Sequence, residues 1–239
     1  VQSYNNIQST DRDNDDRVIL RIGRKLCIID PEGDDNQRYL NTLPIDGNNK
    51  EIKDVLHFSF SKNMKYICVC ESTRYDRSHY HNAHASIYNI NTLNRVKCIQ
   101  NSNSSSSSTT SDASGTYIYS SFCGDSKNLV LVLSLDDTDR LDALTVQIWD
   151  FQKERIFKTC NIPTKITKVI ASPALCMLTT TGQSICKSWY VAADATLKSA
   201  NLLPPVKETP EIFLDHVWLT SNGTDHRMIA LSEADNSTS

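Results

Sequence analysis

A unit of four short β-prone segments recurs along the chain, and this repetition constrains the fold more than any other feature of the sequence. Its third segment is the easiest to recognise, because it closes a β-branched or aromatic run and is followed by a polar turn and another apolar stretch. Four tripeptides mark it: Ile28-Ile29-Asp30, Ile87-Tyr88-Asn89, Ile148-Trp149-Asp150 and Ser188-Trp189-Tyr190. We interpret the central residues as structural anchors that pack where sheets stack: Ile29, Tyr88, Trp149 and Trp189.

The sequence on either side of these anchors divides into five units. Their approximate boundaries are 17–44, 55–100, 114–163, 166–203 and 212–233, with three strands expected in the first unit and only two in the last. Short strands at this rhythm indicate a sandwich, a barrel or a propeller. The four-strand period favours the propeller, because each small sheet must bury its faces against neighbours around a central channel. We therefore predict an all-β fold, a partial β-propeller with about four to five four-stranded blades of a larger propeller.

Polar insertions account for the uneven spacing of the anchors. Ser72 to His84, Asn101 to Ser114 and Ser134 to Ala143 are expected to be loops, which absorb extra length at little cost. The segment 101–114 is rich in serine and threonine and is predicted to be disordered. Residues 1–16 form a polar N-terminal segment. We expect a piece of a longer polypeptide, because the chain starts at Val1 rather than at a methionine and its last unit is incomplete.

Charge and hydropathy exclude two classes of partner. The net charge of −3 argues against nucleic acid, which is bound by strongly basic domains or stripes. The longest apolar run, near Leu129 to Leu135, is far short of the roughly 20 residues that cross a bilayer, so we expect no membrane helix. The eight cysteines are spread without any C-x-x-C pair and are predicted to be reduced core thiols in a cytosolic protein.

Several passages resemble WD-repeat proteins. Phe60 to Val69 is similar to the strand-turn-strand consensus of that family, and Val146 to Asp150 is similar to its third-strand ending, so Asp150 joins Trp149 as an anchor. More narrowly, four passages resemble the N-terminal propeller of the cilia- and flagella-associated WD-repeat proteins of the axoneme: Tyr66 to Glu71, Ala85 to Asn89, Leu144 to Lys153 and Phe213 to Leu219. The chain lacks the Gly-His dipeptide of ordinary WD blades, so their His-Asp-Ser-Trp hydrogen-bond relay is not assigned.

The resemblance implies a non-enzymatic scaffold of the cytoskeleton, located in the axoneme of the cilium or flagellum. Such a propeller docks on doublet microtubules and tethers or regulates inner-arm dynein in ciliary motility. The implied partners are other axonemal proteins, inner-arm dynein subunits, doublet microtubule proteins and the remainder of its own propeller. No cofactor is implied. The alternative is a cytosolic WD-repeat adaptor in a transport, coat or ubiquitin-ligase complex, which the fold and composition permit equally.

One histidine cluster is the strongest candidate for metal chemistry. His79, His81 and His84 could ligate zinc if their loop folded back on itself, with Glu71 and Asp76 nearby. The cluster lies in a polar insertion without a cysteine partner, so we interpret it as a solvated loop and predict no metal site. A metal-assisted hydrolase at this loop is the remaining enzymatic hypothesis.

The acidic clusters and the common catalytic motifs give no stronger candidate. Asp11, Asp13 and Asp15 have the opening spacing of a calcium-binding EF-hand loop, but its required glycine and glutamate are absent. A second cluster is interpreted as a solvated rim rather than a contact for a basic partner: Asp136, Asp137, Asp139 and Asp142. No nucleophile elbow or phosphate-binding glycine loop is present, so we predict no catalytic and no cofactor-binding residues.

Overall fold

The fold is all-β. The computed structural model describes residues 18–22, 25–29, 37–41, 52–73, 84–100, 115–123, 127–135, 143–163, 166–172, 177–191, 197–202, 212–220 and 226–233. Within these ranges the chain forms 17 strands in five antiparallel sheets. No helix in the described part of the chain has the length and apolar character needed to cross a lipid bilayer.

Each sheet is built from strands that are consecutive in the sequence. Sheet 1 contains β1 (Val18–Ile22), β2 (Lys25–Ile29) and β3 (Gln37–Asn41). Sheet 2 contains β4 (Ile52–Phe60), β5 (Tyr66–Thr73), β6 (His84–Asn89) and β7 (Arg95–Gln100). Sheet 3 contains β8 (Gly115–Phe122), β9 (Asn128–Leu135), β10 (Ala143–Asp150) and β11 (Arg155–Pro163). Sheet 4 contains β12 (Ile166–Ala171), β13 (Met177–Gly182), β14 (Ile185–Val191) and β15 (Leu197–Asn201). Sheet 5 contains β16 (Phe213–Thr220) and β17 (His226–Ser232).

A short hydrogen-bonded turn sets the register of the first hairpin of sheet 2. The Ser61 hydroxyl accepts a hydrogen bond from the Tyr66 amide at 2.9 Å and donates to Asn63 Oδ1 at 2.7 Å. Met64 takes a positive φ of 52°, which lets the chain reverse within these few residues. The turn aligns Phe60 with Ile67, so that alternate residues of β5 point to opposite faces of the sheet.

Three apolar layers hold sheets 1 to 4 together. In β5, Ile67 and Val69 pack toward sheet 1, whereas Cys68 and Cys70 pack toward sheet 3. The layer between sheets 3 and 4 includes Val146 of β10 and contacts from the first two strands of sheet 4. Sheets 2 and 3 are therefore apolar on both faces, which removes a large area from water and makes each sheet depend on its neighbours.

The first strands of sheets 2 to 5 lie side by side. β4 contacts β8, β8 contacts β12, and β12 contacts β16, while the later strands of each sheet extend outward. This order of small meandering sheets around their first strands is propeller-like. The prediction of an all-β fold made of four-stranded antiparallel sheets is confirmed for sheets 2, 3 and 4.

Two of the predicted loops are shorter than the sequence suggested. Ser72 continues β5 and His84 begins β6, because His84 pairs with Glu71 across the two strands. Ser134 likewise continues β9, and Ala143 begins β10. At the end of β5, the buried side chains of Glu71 and His84 lie beside each other, so the strands continue into the polar segment. The N-terminal segment 1–16, the segment 101–114 and the acidic cluster at 136–142 lie outside the described residues.

Candidate functional site

The predicted anchors occupy matching places in three successive sheets. Tyr88 pairs with Ile67, Trp149 pairs with Leu129, and Trp189 pairs with Leu178, each with the second residue of the neighbouring strand. Tyr88 is completely buried, Trp149 is 7% exposed, and Trp189 is partly buried against the layer between sheets 3 and 4. Ile29 ends β2 and is half-buried, while the adjacent Ile28 packs toward sheet 2.

Each aromatic anchor donates a hydrogen bond to an acceptor within its own sheet. The Tyr88 hydroxyl donates to Glu71 Oε1 at 3.3 Å. Trp149 Nε1 donates to Gln147 Oε1 at 3.0 Å, and Trp189 Nε1 donates to Thr180 Oγ1 at 2.9 Å. Three different acceptor types therefore satisfy the polar edge of a buried ring. These acceptors were not predicted from the sequence, because no single residue type recurs in that role.

Glu71 is the most deeply buried acid in the described part of the chain, with no exposed side-chain area. It accepts hydrogen bonds from the Ser86 hydroxyl at 2.8 Å and from Tyr88, and His84 Nε2 lies 3.6 Å from its Oε2. Burial raises the pKa of Glu71 to about 7, although its hydrogen bonds with Ser86 and Tyr88 and the charge of Arg95 oppose this. The neutral carboxyl group is thus favoured over the ion up to about pH 7 in this site.

One member of the predicted histidine cluster, His84, lies in a strand of the core. His84 is 3% exposed and lies beside Glu71 in the core, so it belongs to a strand rather than to a solvated loop. His79 and His81 lie outside the described residues. Among the residues that the structure describes, no three histidine, cysteine, aspartate or glutamate side chains are grouped to hold a metal ion.

The first strands of sheets 2 and 3 are joined by polar contacts. The Ser120 amide donates to His57 Nδ1 at 3.2 Å, and the hydroxyls of Ser59 and Ser120 lie 3.0 Å apart. Burial, and then the nearby charge of Lys168, lowers the pKa of His57 to about 4. Because Nδ1 accepts the Ser120 amide hydrogen, the imidazole is neutral and carries its hydrogen on Nε2.

His57 beside Ser120 also resembles a catalytic base beside its nucleophile. Ser120 Oγ lies 3.3 Å from His57 Nδ1. However, Ser120 is 2% exposed and also bonds with Ser59, which leaves no approach for a substrate. Since a catalytic base must reach the proton of an accessible group, the geometry favours a structural link between β4 and β8.

Sheet 5 is attached to sheet 4 by polar groups. His216 Nε2 lies 2.6 Å from Thr179 Oγ1, and its Nδ1 lies 2.8 Å from Thr181 Oγ1. Trp218 Nε1 also donates to Thr179 Oγ1, at 3.1 Å. Burial, followed by the charge of Lys168, lowers the pKa of His216 to about 4, against the opposing effect of Asp215. We call this group of residues the sheet 4–sheet 5 contact.

The two ends of the sheet stack expose apolar faces. Four side chains of sheet 5 point away from sheet 4 and are 44–60% exposed: Val217, Leu219, Ile229 and Leu231. On sheet 1, Val18, Ile22 and Tyr39 lie on the face opposite sheet 2 and are 37–53% exposed. Contiguous apolar area of this kind marks a surface that associates with another surface.

Comparison with known proteins adds little to these observations. No family model and no curated protein matches the chain. A solved structure of U3-55K is similar over 77% of this chain and 48% of that chain, with 13% identity and a TM-score of 0.47. A Kuenenia stuttgartiensis hydrazine synthase structure is similar over 79% of this chain and 64% of that chain, with 10% identity and a TM-score of 0.42. The chain thus spans less than two thirds of either protein, and likenesses this distant carry no argument about its activity.

Proposed function

We propose that this chain contributes blades to a WD-type β-propeller that works as a non-enzymatic interaction scaffold in the axoneme. In this role the propeller docks on doublet microtubules and tethers or regulates inner-arm dynein. The observation that carries the scaffold proposal is the repeated stacking of four-stranded sheets around their first strands. Propellers of this kind present loops and rims to partners and hold them at fixed positions.

The apolar end faces support a larger propeller. The outer face of sheet 5 exposes Val217 and Ile229, which are cross-strand neighbours. The outer face of sheet 1 exposes Val18 and Tyr39 on the side where a preceding sheet would stack. Further blades of the same polypeptide would cover both faces in the way that sheets 1 and 3 cover sheet 2. The blade total, about four to five here with others elsewhere, is part of this proposal.

The polar groups of the stack support a structural role. His57, Ser120 and His216 each bond with a neighbouring strand, and Glu71 bonds with two hydroxyl groups of its own sheet. Their bonds are satisfied inside the protein, so none of them is held ready for a substrate. The axonemal assignment rests on the likeness of four passages of the sequence to ciliary WD-repeat proteins.

Localisation tests the axonemal part of the proposal. The protein carrying a fluorescent tag is expressed in a ciliated cell, and demembranated axonemes are separated from the cell body. We expect the tagged protein in the axonemal fraction and its release together with inner-arm dynein at high salt. A protein that stays out of cilia and co-purifies with coat or ubiquitin-ligase subunits would replace this proposal with the adaptor alternative.

A further inference from the structure

Sheet 5 has two strands in the described part of the chain, whereas sheets 2, 3 and 4 each have four. In those three sheets the second strand lies between the first strand and a third strand, with which it pairs antiparallel. β17 is the second strand of sheet 5, and among the described residues it pairs with β16 alone. Its other edge therefore presents backbone N–H and C=O groups to which a further strand can bind.

The free edge of β17 lacks the features that protect an edge against strand addition. Each of the seven residues of β17 has a partner in β16, so the strand carries no bulge, and it contains no proline. In contrast, an extra residue interrupts the outermost strands of sheets 2 and 3, Val96 in β7 and Phe157 in β11. The outermost strand of sheet 4, β15, is only five residues long. A long and regular edge such as that of β17 favours the binding of an extended segment.

A β-bulge in the first strand gives sheets 2 to 5 a common register. The extra residues of these bulges are Leu56, Ile118, Thr167 and Leu214. Four positions later in each first strand, at residues 60, 122, 171 and 218, the partners in the second strand are Ile67, Leu129, Leu178 and Met228. The first three of these partners also pair with the anchors Tyr88, Trp149 and Trp189. Met228 is therefore the residue that would pair with the anchor of a third strand.

Met228 is less buried than its counterparts in the other sheets. Ile67, Leu129 and Leu178 are at most 2% exposed. Met228 shares a face with its partner Trp218, whose Nε1 donates to Thr179 of sheet 4, and yet Met228 is only half-buried. Packing against sheet 4 thus leaves Met228 partly open, as expected for a sheet that lacks its third strand.

Sheet 4 is also partly uncovered where a third strand of sheet 5 would lie. The residues that precede the anchors of sheets 2 and 3, Ile87 and Ile148, are 0% and 6% exposed and lie in the layers shared with the next sheet. Their counterpart in sheet 4, Ser188, pairs with Thr179 and so faces sheet 5, but it is half-buried. Tyr190 lies on the same face and is 43% exposed. This part of sheet 4 can therefore accept a covering side chain.

The anchors indicate what kind of segment fits this place. Trp149 lies in one apolar layer with Ile87 of the preceding sheet, and Trp189 packs against the layer that contains Ile148. By the same stacking, an aromatic side chain opposite Met228 would cover Ser188. The third strands of sheets 2 to 4 are six, eight and seven residues long. The matching segment is an extended strand of similar length with one aromatic residue among apolar ones. Residues 234–239 do not match, because alanine is their one apolar residue.

We propose that the free edge of β17 is a strand-addition site, filled by a third strand of sheet 5 that sets an aromatic residue opposite Met228. A segment of the same polypeptide outside these 239 residues supplies this strand. This inference rests on the proposed function, because it names the segment that completes one blade of the scaffold. It does not depend on the axonemal location.

Binding of a strand peptide to the full chain tests the proposal. The probe is a fluorescein-labelled peptide with the sequence of β10, the third strand of sheet 3, and its anisotropy is followed during titration. We expect this peptide to bind and two altered peptides to bind with affinities lower by about tenfold or more. One carries Trp149→Ser, which removes the aromatic residue, and the other carries methyl groups on alternate backbone nitrogens, which removes hydrogen-bond donors. Bound peptide should also slow the hydrogen exchange of β17 but not that of the edge strands β7, β11 and β15.

Substitutions on the two strands of sheet 5 separate the edge from the outer face. Ile229→Lys/Leu231→Lys places charges on β17, where lysine disfavours strand addition, and should lower the affinity by about tenfold or more. The control Val217→Lys/Leu219→Lys changes the same outer face on β16, at exposures of 52% and 44% against 54% and 60%, and should bind normally.

Three results would overturn the proposal: no binding by the wild-type chain, equal loss of affinity in both variants, or unchanged hydrogen exchange of β17. Self-association that the β17 variant abolishes and the β16 variant retains would instead assign this edge to a second copy of the chain. The axonemal role is tested by localisation and would survive each of these results.

Discussion

Buried polar side chains in this chain are tied to the anchor residues. Glu71 and Gln147 accept hydrogen bonds from the anchors Tyr88 and Trp149, so the rings are fixed in orientation as well as buried. Gln147 Oε1 also accepts the Tyr117 hydroxyl at 2.7 Å, which links the first and third strands of sheet 3. Leaving such a group without its partner costs about 1–3 kcal/mol, so these contacts favour one arrangement of the sheets.

Replacing the buried Glu71 should change how the free energy of unfolding depends on pH. The folded-state pKa of Glu71, about 7, lies above the ordinary value of 4.5, so its contribution is fully present below pH 4.5 and is lost as pH rises through 7. Glu71→Gln keeps hydrogen-bonding capacity but cannot ionise. We expect the variant to gain roughly 2–4 kcal/mol relative to the wild type between pH 4.5 and pH 8.

Urea unfolding at several pH values measures this gain. Glu154→Gln gives a matched control for the removal of one carboxylate, because the side chain of Glu154 is 64% exposed. Parallel profiles for Glu71→Gln and the wild type would show that Glu71 ionises normally in the folded chain.

At the scale of strands and sheets, the contacts between neighbours are of two kinds. Sheets 1 to 4 are joined by apolar layers, and the hydrogen bond from the Ser120 amide to His57 adds one polar contact between sheets 2 and 3. The sheet 4–sheet 5 contact instead relies on His216, its two threonine partners and the ion pair of Lys168 with Asp215. The stability of polar contacts of this kind depends on the charge state of the residues that form them, whereas the stability of apolar layers does not.

Sheet 5 should loosen before the rest of the stack in acid. The folded-state pKa of His216, about 4, lies below the ordinary value of 6.5, so its contribution is fully present above pH 6.5 and is lost as pH falls through 4. We expect the hydrogen-exchange rates of β16 and β17, corrected for intrinsic rates, to increase by about tenfold or more from pH 7 to pH 4.5. The exchange rates of β9 and β10 should change much less. In the variant His216→Gln, the exchange rates of sheet 5 and sheet 3 should respond to pH in the same way. A uniform increase across all sheets would instead indicate global unfolding.

The sequence predicted the strands well and their polar contacts poorly. The anchors Tyr88, Trp149 and Trp189 identified the third strands of sheets 2, 3 and 4, because each lies in a short run of β-branched or aromatic residues, which is typical of strands. His84 was assigned to a loop because the sequence between Ser72 and His84 is polar. Its actual partner, Glu71, becomes visible only when β5 and β6 are placed in register. The β-bulges that leave Val96 of β7 and Phe157 of β11 without a cross-strand partner were missed for the same reason, because a bulge is a property of a strand pair.

At the scale of the whole molecule, sheets 1 and 5 are the two ends of the stack that the described residues form. Sheet 2 is covered on both sides, whereas sheets 1 and 5 each have an outer apolar face with exposed residues. The seven described cysteines that lie along the stack are free thiols, so no disulfide fixes its shape in that part of the chain.

Polar substitutions on the outer face of sheet 5 should reduce association of the isolated chain. Val217→Ser/Ile229→Ser removes two cross-strand neighbours that are 52% and 54% exposed. Because both side chains already contact water, we expect little loss of thermal stability. The double variant should bind less of the dye ANS and show less self-association in sedimentation velocity. Phe157→Ser, at 52% exposure in sheet 3, is the control and should change both signals much less. Unchanged dye binding in the double variant would contradict an apolar docking face.

The alternation of β5 has a consequence for the way this chain tolerates insertions and deletions. Neighbouring residues such as Ile67 and Cys68 serve different layers, so loss of one residue within the strand would exchange the side chains of both faces at once. Residues added between strands leave that assignment intact. Relatives of this chain should therefore differ freely in the length of the connections, while the number of residues in the central strands of sheets 2 and 3 stays fixed.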